Sequence, residues 1–284
     1  MAATKSKFRK WPNGLSRRLD EDYERPLERR SGALTPHTNM PLVHVTNAWS
    51  AKEILKKKKF LTKTCDVFKK GLVYFFVLRP AYRTVKGSEK SRYLDYFPVA
   101  FILKADAVPM PFHVYPFDTG GAAKGAFKSN ANALIPLEDY ALAPSHSAAK
   151  GFIGWAFGSL ENYFDAILRP GLSTEIHAME GVETSYVAIA KMGVTGDAVH
   201  DTRASTIEIA SDDNVDVPGN ILLVIAPKPM LEIKSHFSDA IAALSTAGAD
   251  VRLYDWQPNR APNDYQRDLL RISRDWYRKQ NILS

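Results

Sequence analysis

An α+β architecture is expected from this sequence on three grounds. Two runs rich in β-branched and aromatic residues, 42–46 (Leu-Val-His-Val-Thr) and 72–83 (Leu-Val-Tyr-Phe-Phe-Val-Leu-Arg-Pro-Ala-Tyr-Arg), read as strands. Between them, 48–60 reads as a helix, giving an opening unit of strand, helix, irregular segment and strand. Farther on, 137–170 reads as a helical insert between the strand-like runs 96–103 and 220–227.

In chain order, residues 1–38 form a basic arm (Lys5, Lys7, Arg9, Lys10, Arg17, Arg18, Arg29, Arg30) interleaved with acids. It is expected to be poorly ordered, or to lie along the surface through Phe8, Trp11 and Tyr23. Residues 39–284 are expected to form one domain. The 48–60 helix has an apolar stripe of Trp49, Ile54, Leu55 and Phe60, a cap at Asn47 or Ser50, and lysines in its last turn. Residues 83–92 read as a Lys/Ser/Gly loop, 96–103 as a buried strand and 118–125 as a flexible loop. Within the insert, Trp155, Phe157, Tyr163 and Phe164 are expected in the core.

Residues 172–202 show little periodicity and read as a long irregular segment. The following stretch, 202–209, alternates, with Ile207 and Ile209 inward and Thr206 and Glu208 facing the opposite side. The chain closes with a helix at 237–248, a strand at 250–254 and a helix at 264–277. That last helix carries Arg267, Arg271, Arg274, Arg278 and Lys279 on its basic face.

At 284 residues and 45% hydrophobic content, the chain has ample apolar material for a core. One cysteine, Cys65, rules out a disulfide framework, and no Cys/His spacing suits zinc, so no metal is expected. No apolar run approaches a membrane span and no signal segment opens the chain, so a cytoplasmic setting is expected. A net charge of +7 favours an anionic partner such as nucleic acid. No strand opens into a Rossmann fingerprint, and the glycines after Asp118 lack the Gly-Lys-Ser/Thr of a phosphate loop.

The opening unit resembles that of the ADP-ribosyltransferase fold, most like the DNA-modifying DarT-type branch. The residues that carry the resemblance are His44-Val45-Thr46 on the first strand, Tyr74 and Arg79-Pro80-Ala81-Tyr82-Arg83 on the second, and Glu208 on a later strand after a long loop. The resemblance implies a split β-sheet with an NAD cleft, a helical insert and peripheral helices. It implies Glu208 and Arg79 as catalytic residues, and His44, Thr46, Tyr74, Arg79, Tyr82 and Arg83 as ligands of NAD, which is consumed as substrate. In these roles His44 and Thr46 serve ribose or amide, Tyr74 or Tyr82 stacks on nicotinamide, and Arg79 or Arg83 clamps the pyrophosphate.

The Glu-x-Glu pair of arginine-specific toxins is absent, since residue 206 is Thr, and their Ser-Thr-Ser motif has no clean counterpart, because Ser205-Thr206 belongs to the glutamate's own strand. The acceptor implied is accordingly nucleic acid, DNA before RNA, in a toxin or antiphage effector that an antitoxin or other regulator would oppose. A protein, water or RNA 2′-phosphate acceptor, and a non-catalytic nucleic-acid-binding module, are the alternatives.

Overall fold

A computed structural model describes residues 25–34, 40–81, 92–193, 201–232 and 234–284. Tyr82, Arg83, the 83–91 loop and the arm up to residue 24 lie outside the described residues. Ten strands occur among those described: β1 (Leu42–Asn47), β2 (Lys59–Phe60), β3 (Lys63–Thr64), β4 (Gly71–Val77), β5 (Pro98–Leu103), β6 (His113–Tyr115), β7 (Glu208–Ser211), β8 (Val215–Asp216), β9 (Ile221–Pro227) and β10 (Asp250–Tyr254). They are distributed over two compact units. One comprises the described parts of 25–34, 63–71 and 111–210; the other comprises those of 40–62, 72–110 and 211–284.

The second unit is built on the order β10-β9-β5-β1-β4. β1 and β5 pair antiparallel along their whole length, from Leu42 opposite Leu103 to Asn47 opposite Pro98. Every residue of β5 is buried, which is why the 96–103 run lacks polar alternation. β1 meets β4 only at Leu42 with Val77 and Val43 with Phe76. Beyond Val43 a side chain takes over, and His44 Nδ1 lies 2.8 Å from the Tyr74 carbonyl.

The helix Ala48–Lys57 starts where Asn47 accepts the Ser50 amide at 2.8 Å and ends at Lys58, whose φ of 53° is left-handed. Its buried residues are Ala48, Ala51 and Leu55, while Trp49 remains 62% exposed and so does not belong to the buried stripe. The closing helix Gln266–Lys279 buries Leu269, Ile272, Trp276 and Tyr277. Arg267, Arg271 and Arg278 on its other side are exposed.

The first unit has β6 antiparallel to β7, with Tyr115 opposite Glu208. Around this pair stand the helices His146–Ala156, Leu160–Phe164 and Gly181–Lys191. Trp155, Phe157, Tyr163 and Phe164 are buried, as expected for the insert, and Phe152 and Tyr186 join them in this core. The segment Pro26–Arg29 and the residues after it belong here: Leu27 is buried, and Arg30 pairs with Glu180 and, at 3.0 Å, with Glu183. Gly32 packs backbone against backbone on Gly154, and its amide donates to the Gly151 carbonyl at 2.9 Å. A Cβ on either Gly32 or Gly154 would collide with main-chain atoms of the other.

Three local expectations are corrected here. Residues 172–202 are not irregular throughout: helices span Leu172–Glu175 and Gly181–Lys191, in the second of which Val182, Tyr186, Ile189 and Ala190 share one buried face, while 194–200 lie outside the described residues. Asp118 caps a short helix, Thr119–Ala123, where a flexible loop was expected. Thr206 and Glu208 do not face an open side, since both faces of this stretch are covered and the two are 0% and 2% exposed.

Candidate active site

The first unit gathers its polar side chains around Glu208. Asp118 starts the Thr119–Ala123 helix by accepting the Gly121 amide at 2.9 Å. A Cβ on Gly120 or Gly121 would come within 3.1 Å of the Asp118 carboxylate, so the two glycines let this turn wrap tightly. The turn delivers Thr119 to Glu208 through two contacts. The Thr119 hydroxyl donates to Oε1 at 2.6 Å and its amide donates to Oε2 at 3.3 Å. His113 Nε2, from β6, stands 3.3 Å from Oε1.

Arg203 ties down the turn from behind. Its Nε and Nη2 donate to the two oxygens of Asp201 at 2.9 and 2.8 Å, a bidentate fork, while Nη1 reaches Asp118 at 2.7 Å. The Asp118 amide returns a bond to the Arg203 carbonyl at 3.1 Å. β7 is itself anchored through the insert, since Tyr163 accepts the Ile207 amide at 3.0 Å.

Burial pushes the Glu208 carboxyl well above the usual carboxylate range, and the nearby Asp118 charge and Cys65 add to the rise. The two Thr119 hydrogen bonds oppose it without cancelling it. Among the described residues, Glu208 has no Lys or Arg ion-pair partner. Burial also drives His113 down to about 3, so its imidazole is neutral across the physiological range. Arg203 behaves oppositely: burial acts to lower its pKa, but bonds and charges from Asp201 and Asp118 outweigh that and raise it. The cluster therefore couples a permanent cation shared by two carboxylates to a third carboxyl whose ionisation burial disfavours.

In the second unit, His44 and Tyr74 come together. Because a carbonyl only accepts, Nδ1 of His44 carries a proton in its bond to Tyr74. The ring is wedged against Phe60 and Phe75, with centroids 5.1 and 5.7 Å away. Thr46 and Tyr74 are partly exposed. Arg79 is 2% exposed, in a turn that follows Leu78 at φ +57°. This conformation is unusual for a residue with a Cβ, and the closing helix pins it: Tyr277 donates to the Leu78 carbonyl at 2.8 Å and Gln266 to the Pro80 carbonyl.

Sequence reasoning named Glu208 but not the residues that surround its carboxyl, His113 and Thr119, nor the cap-and-clamp pair Asp118 and Arg203. An Asp-Thr-Gly-Gly string after a strand is a cap signal, and Asp201-x-Arg203 places opposite charges two residues apart. Neither signal announces a contact across 85 residues of sequence.

Among the described residues, no group of three or more His, Cys, Asp or Glu is arranged to hold a metal, and no helix is long and apolar enough to cross a membrane. No family model matches the chain, and no curated protein matches it. Among solved structures it is similar to DarT from Thermus sp. 2.9 in complex with NAD+, at 10% identity and a TM-score of 0.32, over 78% of this chain and 98% of that one.

Proposed function

We propose that this chain is an NAD-dependent ADP-ribosyltransferase that moves ADP-ribose to a nucleic-acid base, with Glu208 as the catalytic carboxyl. The observation that carries the reading is the setting of Glu208: a buried carboxyl on a rigid strand, held at both oxygens and, among the described residues, paired with no Lys or Arg. A carboxyl already tied to a cation has little charge left to offer. One without such a partner can offset the positive charge that develops as the bond between nicotinamide and ribose C1′ breaks. NAD+ carries a cationic nicotinamide ring, which favours the ionised form of Glu208 against the burial that disfavours it. The carboxylate then accepts from a ribose hydroxyl, a base nitrogen bonds to C1′, nicotinamide leaves with the bond electrons, and the proton from the base goes to solvent.

The ends of β1 and β4 support the reading. Their backbone pairing stops at Val43, and the Nδ1 bond to the Tyr74 carbonyl orients the ring of His44, the first residue beyond, which in this reading serves a ribose hydroxyl. Thr46 and Tyr74 are partly exposed and can add a hydroxyl and a stacking ring. Arg79, being buried, reaches a pyrophosphate only if its turn opens. Tyr82 and Arg83 complete the dinucleotide ligands in this reading.

A nucleic-acid acceptor is favoured by the overall charge of +7 and by Arg267, Arg271, Arg274 and Arg278 spaced along one side of the closing helix. An antitoxin or other regulator would then be the natural antagonist of an effector that damages nucleic acid. The same stripe favours a second reading, a nucleic-acid-binding module without catalysis.

Purified protein given labelled NAD with single-stranded DNA, duplex DNA or RNA separates these readings. Label on one nucleic acid, reduced about a hundredfold or more by the near-isosteric Glu208→Gln, is the expected result. Nicotinamide release without transfer would assign water as acceptor. Salt-sensitive nucleic-acid binding with no NAD turnover would establish the module and end the transferase reading.

A further inference from the structure

The Thr119–Ala123 helix is only five residues long, yet it supplies two of the three contacts to the Glu208 carboxyl. A helix this short has little stability of its own, so something else must fix it. Asp118 is the cap that starts it, and Asp118 is held by Arg203, whose fork is in turn seated on Asp201. The path runs Asp201, Arg203, Asp118, Thr119, Glu208, every member 18% exposed or less at the side chain where ion pairs form.

From this geometry we infer that Thr119 is the positioning residue for the Glu208 carboxyl, and that Arg203 sets Thr119 by locking the Asp118 cap. The arrangement serves one end: a carboxyl on a strand can swing about its side-chain torsions, and bonds to both oxygens from one residue fix the plane of the group. The titratable or charged groups facing Glu208 are His113 and Tyr115 from β6, Asp118 from the capping turn and Cys65 from the hairpin after β3. Among the described residues, Thr119 is the one that donates to both oxygens. The catalytic part of this inference rests on the role proposed for Glu208; the positional part does not.

The test uses Thr119→Val, which keeps the shape and loses the hydroxyl, Thr119→Ser, which keeps the donor, and Arg203→Lys, which keeps the charge and loses the fork. The first readout is the titration of the Glu208 carboxyl, followed by carbon NMR of labelled glutamate and assigned by its loss in Glu208→Gln. The hydroxyl favours the ionised form, so Thr119→Val should raise the midpoint by about one to two pH units, the size of one hydrogen bond to a charged group. Thr119→Ser should restore it, and Arg203→Lys should raise it by a smaller amount.

The second readout is NAD turnover. Here kcat should fall about tenfold or more in Thr119→Val while KM changes little, with the acid-to-base profile displaced to higher pH as in the titration. An unchanged midpoint in folded Thr119→Val would overturn the inference, as would a rise in kcat, which would make Thr119 an obstruction. A shifted midpoint in a protein that never turns over NAD would keep the positioning and discard the transferase.

Discussion

In the unit built on β10, β9, β5, β1 and β4, the candidate ligand groups His44, Thr46 and Tyr74 stand partly exposed, with the His44 ring against Phe60 and Phe75. In the unit around Glu208, by contrast, His113, Asp118, Thr119, Asp201 and Glu208 are each no more than 9% exposed and are bonded within one cluster. The first arrangement asks little of its polar residues, because water satisfies what the protein does not. The second stands or falls together, because each buried group relies on the next for the hydrogen bonds that water would have provided.

The largest break in that contrast should come from Arg203→Met. It leaves Asp118 and Asp201 buried beside each other without their shared cation, and about 3–5 kcal/mol of stability should be lost by denaturant unfolding. Adding Asp118→Asn and Asp201→Asn should recover part of the loss; wild-type stability in the single variant would mean that the cluster is not interdependent. In the other unit, Phe101→Ala removes a fully buried ring from β5 and should cost about 3 kcal/mol. That cost should be the same at pH 5 and pH 8, since the change involves packing alone.

A pH scan sharpens the comparison further. His113 is depressed to about 3 in the folded protein from 6.5 when unfolded, so the unfolded chain binds the extra proton first. Its contribution is therefore fully present above pH 6.5 and is lost as pH falls toward 3, at about 1.4 kcal/mol per pH unit. His113→Phe should flatten that part of the acid limb, and an unaltered slope would refute the assignment. The smallest effect belongs to Tyr277→Phe, which removes the donor to the Leu78 carbonyl. About 1 kcal/mol should be lost, with faster amide exchange in the Leu78–Ala81 turn as the more sensitive readout.

How much of this was legible in the sequence follows the same divide. β1, β5 and β9 announce themselves because local apolar runs of β-branched residues are enough to define buried strands. Glu208 and His44 could be named because each sits in a short local pattern. Thr119 could not, because nothing local distinguishes an Asp-capped turn on the surface from one folded over a carboxyl 89 residues away. The Gly181–Lys191 helix was hidden for another reason. Its stretch shows little periodicity by itself, and the helical face of Val182, Tyr186 and Ile189 becomes visible only once its neighbours are known.

The contact of Gly32 with Gly154 bears on where the chain can be shortened. Two main chains touch there with no side chain between them, so nothing flexible can fill the space if one partner is removed. A chain trimmed to begin after residue 34 would uncover the backbone of the His146–Ala156 helix along the face that Gly151 and Gly154 present, and would leave Glu183 without Arg30. Trimming that ends before Arg25 leaves that seam whole, so solubility and melting temperature should change abruptly between these two cuts.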